Sequence, residues 1–355
     1  MQDLESSIQT LVDSATPFYA YKLPDEDLIS LAVIADSQAF VYEDLDRPSR
    51  PEGFVVYPFD DSSGKGWCFI PENIKHFYLS QISTSPGTGT EIIEDYESAG
   101  FVEYASQFAM MKEAINTGEV RKVILSRTLS INKALATQAG GIFSRMLERY
   151  HKAFVYMISA PQIGLWTGAS PELLFSRQND LCTTVSLAGT RLQNHGEKQW
   201  SLKETEEQEV VSDYIDKILN SFNIASFVKQ GPEIINAGNL IHLKTTYTFN
   251  SCDSLGVAQF VKALHPTPAL CGEPKDKAMA LIKRVEKHPR LCYGGFIGPV
   301  GPQALSLYVN IRCMKIDAEV STLYVGGGLT RLSDLHSEWD ETAGKSKTLL
   351  SVISE

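Results

Sequence analysis

The stretch Val325-Gly326-Gly327-Gly328-Leu329-Thr330, followed after a short turn by Ser337-Glu338-Trp339-Asp340-Glu341-Thr342-Ala343-Gly344-Lys345, sets the frame for the rest of the chain. An apolar β-type run enters three consecutive glycines, and a helix-like segment follows. Glycine runs occur where backbone must approach something closely or adopt φ > 0. At about 100° per residue, Glu338, Glu341 and Lys345 share one helical face. Two carboxylates and an ammonium beside a glycine-lined gap suit a metal and an anionic ligand. An ordinary surface pair, Glu341 with Lys345 at i,i+4, accounts for the same residues. Other parts of the chain must separate the two readings.

Working outward, the 355 residues suggest about two domains or one large α/β unit. The net charge of −11 speaks against a nucleic-acid-binding surface, which needs clustered Lys and Arg. It leaves room for small anionic substrates, because a few buried cations dominate a pocket whatever the net charge. Six scattered cysteines (Cys68, Cys182, Cys252, Cys271, Cys292, Cys313) show no metal-binding spacing and read as reduced thiols of a cytoplasmic protein. The acidic start, Met1 to Glu5, predicts no signal peptide, and no apolar run is long enough for a membrane span.

Upstream of the glycines the chain alternates between strand and helix patterns. Residues 9–16 are a candidate helix, and Leu31-Ile34 and Gly53-Tyr57 are candidate strands. The loop-like Ser83 to Thr90 contains a G-x-G, but no strand-turn-helix context or Walker lysine accompanies it. Phe101, Tyr104, Phe108, Met111 and Ile115 follow helical spacing, with Gly118 as the stop. In Lys122-Val123-Ile124-Leu125-Ser126-Arg127, Val123 and Leu125 share one strand face and Lys122 takes the other. A lysine in so apolar a strand is either an edge residue or a functional amine. Ser170-Pro171-Glu172 reads as the start of a helix, with Ser170 as N-cap and Glu172 in the first turn. A strand at Thr183-Leu187 ends in Ala188-Gly189-Thr190-Arg191, and a polar segment from Lys203 opens a helix. There Glu207 shares the face of Val211, while Glu204, Glu206 and Glu209 point to solvent. His242 alternates with Ile241 and Leu243 on a strand, and three prolines stiffen His265 to Lys275. Arg312 closes an apolar run, a place where an anionic partner is expected.

Taken together and in order from Phe101 to Lys345, these segments resemble the chorismate-utilising enzymes, the anthranilate synthase component I-like family. The segments are Lys122 to Arg127, Gly168 to Leu174, Leu187 to Thr190, Lys203 to Asp213, His242, His265 to Gly272, Asn310 to Cys313 and the glycine-rich stretch. Within the family, Lys122 stands where anthranilate synthases carry Gln, and Ala188 where aminodeoxychorismate synthases carry lysine. Both features favour water as nucleophile and imply an isomerase that converts chorismate to isochorismate. Salicylate formation by subsequent pyruvate elimination, and a non-catalytic chorismate-binding protein, are the alternatives.

The resemblance implies an α+β fold of two packed, mainly antiparallel sheets with outer helices. Residues 1–95 would form a variable N-terminal part of the same globular unit, and residues 96–355 the chorismate-binding catalytic domain. It also implies roles. Lys122 would be the general base and Glu172 the general acid. Glu207 and Glu341 would hold Mg²⁺, with Glu338 nearby. Arg312 and Lys345 would hold the substrate carboxylates together with Gly189, Thr190 and the backbone at Gly326, while His242 and Ala269 would line the pocket. Chorismate would be the partner, with no nucleic acid and no membrane, and the chain would act as a cytoplasmic monomer. The family's Glu-His pair is Glu207-Gln208 here, and its Gly-Ala-Gly is Gly326-Gly327-Gly328.

Overall fold

A computed structural model describes residues 3–353, apart from 48, 61, 63, 83–95, 99, 193–199, 238–239 and 251–255. The Ser83 to Thr90 loop and Cys252 therefore lie outside the described residues. Along the chain come α1 (Leu4–Asp13), β1 (Phe18–Lys22), β2 (Leu28–Phe40), β3 (Gly53–Tyr57), β4 (Gly66–Tyr78), β5 (Tyr96–Ser98), α2 (Phe101–Asn116) and β6 (Lys122–Ile131). Next are α3 (Ala139–Arg149), β7 (Phe154–Ala160), β8 (Gly164–Ser170), β9 (Leu173–Gln178), β10 (Leu181–Leu192), α4 (Leu202–Ser221), β11 (Val228–Ala237) and β12 (Leu240–Asn250). The last part holds α5 (Val257–Leu264), β13 (Gly272–Glu273), α6 (Lys275–Val285), β14 (Phe296–Val300), β15 (Ala304–Val309), β16 (Cys313–Ile316), β17 (Ser321–Leu329) and α7 (Leu335–Ile353).

Antiparallel ladders join these strands into one continuous ribbon. One half runs β11-β12-β10-β9-β15-β14-β3. The other runs β2-β1-β7-β8-β16-β17-β6, with β5 and β13 on β6. The long β4 pairs with both β3 and β2 and so hinges the halves together. Because successive strand side chains point to opposite faces, each half offers one apolar face to the other. Phe154 of β7 stacks on Tyr308 of β15 at 4.3 Å between ring centroids, and Tyr19 of β1 on Phe54 of β3 at 4.9 Å. The expected α+β architecture is what is found, with the two packed layers continuous through β4.

Helices cover the outer faces. Leu4 and Ile8 of α1 and the apolar face of α3 pack with Val155 and Met157, the residues of β7 that point away from the interior. Val123 and Leu125 of β6 pack instead against Met111 and Ile115 of α2 and Leu281 of α6. That places Lys122 and Ile124 on the opposite, inward face, as the alternation predicts.

Three local expectations need correction. The first helix spans Leu4–Asp13, because the Asp3 side chain accepts from the Ser6 amide and caps it there. Pro171 and Glu172 do not open a helix; they are a two-residue link between β8 and β9. The Ser170 hydroxyl that would have capped a helix donates instead to the Val309 carbonyl at 2.6 Å. Finally, β10 does not end at Leu187. It continues through a bulge between Ala188 and Thr190, made possible by Gly189 at φ +65°.

Candidate active site

Most of the residues singled out from sequence converge on a cleft between the two halves of the ribbon, open to solvent. Lys122, Glu172, Gly189, Thr190, Glu207, His242, Ala269, Arg312, Gly326 and Lys345 all line it. Glu338 and Glu341 do not. They lie behind the glycine strand, where a Cβ on Gly327 would meet Glu338 Oε2 at 3.0 Å and Glu341 Oε1 at 4.0 Å.

The glycines are regular residues of β17, paired with Ser126, Leu125 and Ile124 of β6. Their role is close approach. A Cβ on Gly328 would stand 3.0 Å from Lys122 Cε and 3.3 Å from Glu207 Oε2 and would press on both side chains, so the bare backbone gives them room at the cleft.

Lys122 opens β6 and is 1% exposed. Burial lowers its pKa, the ammonium groups of Lys203 and Lys345 lower it further, and the carboxylates of Glu207 and Glu172 oppose them. Glu172, 3% exposed, moves the other way: burial raises its pKa to about 8, against the pull of Lys122, Lys345 and Arg312. Its Oε1 has no hydrogen-bond partner among the described residues. The backbone holds this side chain in place, since the Val309 amide donates to the Glu172 carbonyl at 2.9 Å.

Arg312 lies in the link between β15 and β16 at φ +50°, a left-handed conformation uncommon for a non-glycine residue. Its guanidinium donates to His242 Nε2. A donor on Nε2 leaves Nδ1 to carry the proton in a neutral ring, and Nδ1 lies 3.2 Å from the Thr190 hydroxyl. The ring stays neutral because burial lowers its pKa well below the usual value, as do Arg312 and Lys345. His242 is therefore a spacer that aims Arg312 and Thr190.

Lys345 Nζ donates to Glu341 Oε1 at 2.7 Å and to the Gly326 carbonyl at 2.9 Å. The i,i+4 pair expected from sequence is present, and it sits at the cleft wall. Glu207, Glu338 and Glu341 share a cation, Lys203 at the start of α4, to which the sequence pattern assigns no role. The Lys203 ammonium is 2.9 Å from Glu207 Oε1, 2.8 Å from Glu338 Oε1 and 3.5 Å from Glu341 Oε2. Its i,i+4 spacing to Glu207 on α4 was the available signal. Glu338 is fully buried, and among the described residues neither of its oxygens accepts a hydrogen bond of regular geometry.

As they stand, no three His, Cys, Asp or Glu side chains among the described residues are arranged to hold a metal ion. The donor set nevertheless fits a hard divalent cation. It is all oxygen, it carries two or more negative charges, and Glu338 has coordination capacity to spare. Tyr293 and Tyr324, also missed from sequence, complete the cleft wall. Behind it, Glu286 pairs with Arg290 at 2.6 Å, and Arg290 donates to the carbonyls of Leu270 and Ile124, both cleft residues. Gln208, in place of the family's histidine, donates to the Ser186 carbonyl and the Thr245 hydroxyl and so ties α4 to β10 and β12.

The model of a family described as chorismate binding enzyme matches residues 70–354. The chain is 27% identical over 311 residues to the isochorismate synthase EntC of Escherichia coli strain K12, covering 83% of this chain and 79% of that one. It is 24% identical over 316 residues to the vibriobactin-specific isochorismate synthase of Vibrio cholerae, covering 86% and 80%. The solved structure of MenF, the menaquinone-specific isochorismate synthase of Escherichia coli, superposes with a TM-score of 0.80 at 20% identity, covering 98% of this chain and 91% of that one.

Proposed function

The chain belongs to the chorismate-binding enzymes, and from that premise we propose that it is a Mg²⁺-dependent isochorismate synthase. The observation that carries this reading is the pairing of Lys122 and Glu172 across one cleft, with acidities displaced in opposite directions. An allylic displacement of hydroxide by water needs a base at the incoming water and an acid at the leaving oxygen, since neither nucleophile nor leaving group is good at neutral pH. Neutral Lys122 takes a proton from the water that bonds to ring carbon 2, the ring double bonds shift, and protonated Glu172 donates to the hydroxyl leaving carbon 4. Arg312 and Lys345 bind the two substrate carboxylates, with the Gly326 backbone and Thr190 alongside. Glu207, Glu341 and Glu338 would hold the Mg²⁺, which when bound supplies positive charge for the ring carboxylate. Relatives specific for vibriobactin and for menaquinone synthesis are both similar to this chain, so similarity alone does not assign its product to either pathway.

Incubation with chorismate and Mg²⁺, followed by mass analysis, tests the proposal. An isomer of unchanged mass is expected, with turnover lost in Lys122→Ala and Glu172→Ala while their circular dichroism stays that of the parent. Salicylate and pyruvate as direct products, or near-normal rates in both variants, would overturn it.

A further inference from the structure

We infer that Lys203 is a built-in competitor for the divalent cation: its ammonium occupies the shared focus of Glu207, Glu338 and Glu341 when no metal is bound and must leave for the ion to enter. This rests on the metal role proposed above for those carboxylates. Four observations carry it. The ammonium lies within 3 Å of Glu207 and Glu338 and at 3.5 Å from Glu341, so it faces the same oxygens a cation would use. Neither Glu338 oxygen has a hydrogen-bond partner of regular geometry among the described residues, so Lys203 is the main compensation for this fully buried carboxylate. Lys345 neutralises only one side of Glu341, through Oε1. Lastly, the Lys203 side chain is 18% exposed while Glu338 is 0% exposed, so the lysine has a route to water that the carboxylate lacks.

A divalent ion and an ammonium cannot both sit against one carboxylate oxygen pair without strong repulsion in a poorly hydrated site. The four-carbon lysine stem has the freedom to swing aside, which a cation fixed by backbone would not. The cluster is thus never left as three bare glutamates. In the metal-free protein Lys203 holds α4 against α7, and metal binding replaces an internal cation with an external one. The apparent metal affinity is then the intrinsic affinity reduced by the stability of the Lys203 contacts.

The test is calorimetric titration of Mn²⁺, without substrate, into the full-length protein, Lys203→Met and Lys203→Arg, alongside thermal melting with and without the ion. Lys203→Met should bind Mn²⁺ about tenfold more tightly or better, a change of about 1.4 kcal/mol per decade. Its metal-free melting temperature should fall, and Mn²⁺ should raise it more than it raises the parent's. Lys203→Arg, which keeps the charge, should gain no affinity; it also shows whether loss of charge or loss of the side chain matters. Unchanged or weaker Mn²⁺ binding by a folded Lys203→Met would overturn the inference while leaving the metal reading intact. Absence of Mn²⁺ binding in parent and variants alike would remove the metal reading itself, and the inference with it.

Discussion

Lys122 and Glu172 are charged side chains that the fold has taken out of water, and each is expected to work in its uncharged form. The cost of burying a charge, which makes such residues uncommon in a core, is what tunes them. For Glu172 the sign of the effect on stability can be worked out. Its pKa lies near 4.5 when exposed and is raised to about 8 in the folded protein. Folding therefore takes up a proton between those values, and stability is lost as pH rises from about 4.5 through about 8. Glu172→Gln removes this loss. Chemical denaturation should find the variant more stable than the parent at pH 9, by on the order of 5 kcal/mol from the linkage. Near pH 4 the two should be alike. A variant with no advantage at pH 9 would show that Glu172 ionises freely in the folded state. In the active enzyme the same group should place a falling alkaline limb near pH 8 on kcat/KM.

Among the elements, β17 and its pairing with β6 do most to shape the site. The glycine run was legible in the sequence as backbone in close approach, and so was the strand face of Lys122. What lies near the glycines was legible only in part: α7 follows them directly and its Glu338, Glu341 and Lys345 read as their neighbours, whereas Glu207 comes from α4, remote in sequence and brought in only by packing. The role of Lys203 was hidden for the same reason, since Glu338 and Glu341 are remote from it in sequence, and the i,i+4 spacing of Glu286 and Arg290 does not announce their burial behind the cleft. Ser170-Pro171-Glu172 misled in a different way. Its helix-start chemistry is real, but the pairing of β8 with β7 and β16 and of β9 with β10 and β15 outweighs a local cap. Gly328→Ala checks the close-approach account. Its Cβ would stand 3.0 Å from Lys122 Cε. A base displaced by a fraction of an ångström should lose about 10- to 100-fold in kcat/KM with the fold retained. Gly301→Ala, whose Cβ would meet only the Ala304 carbonyl at 3.6 Å, should be silent. Equal activity in the two variants would mean that Gly328 is not needed for clearance.

At the scale of the whole molecule, the cleft exists because a single antiparallel ribbon folds on itself through β4. One half supplies the Gly189 bulge and His242, the other supplies Lys122 and the glycines, and Glu172 sits in the link between β8 and β9 that joins them. The α+β class and the layered sheets follow from strand and helix patterns together with the family resemblance. Continuity of the layers through β4 does not, since it depends on register between strands far apart in the chain. An acidic protein of net charge −11 thus gathers Lys122, Arg312 and Lys345 around one cleft, the arrangement a dianionic substrate requires. The central claim is that this cleft adds water at one ring carbon and releases hydroxide from another. Turnover of chorismate in ¹⁸O-labelled water, read by mass spectrometry at low conversion, tests it most directly. The account predicts one solvent oxygen in each isochorismate formed. Unlabelled isochorismate, showing that the original hydroxyl migrates within the substrate, would contradict it.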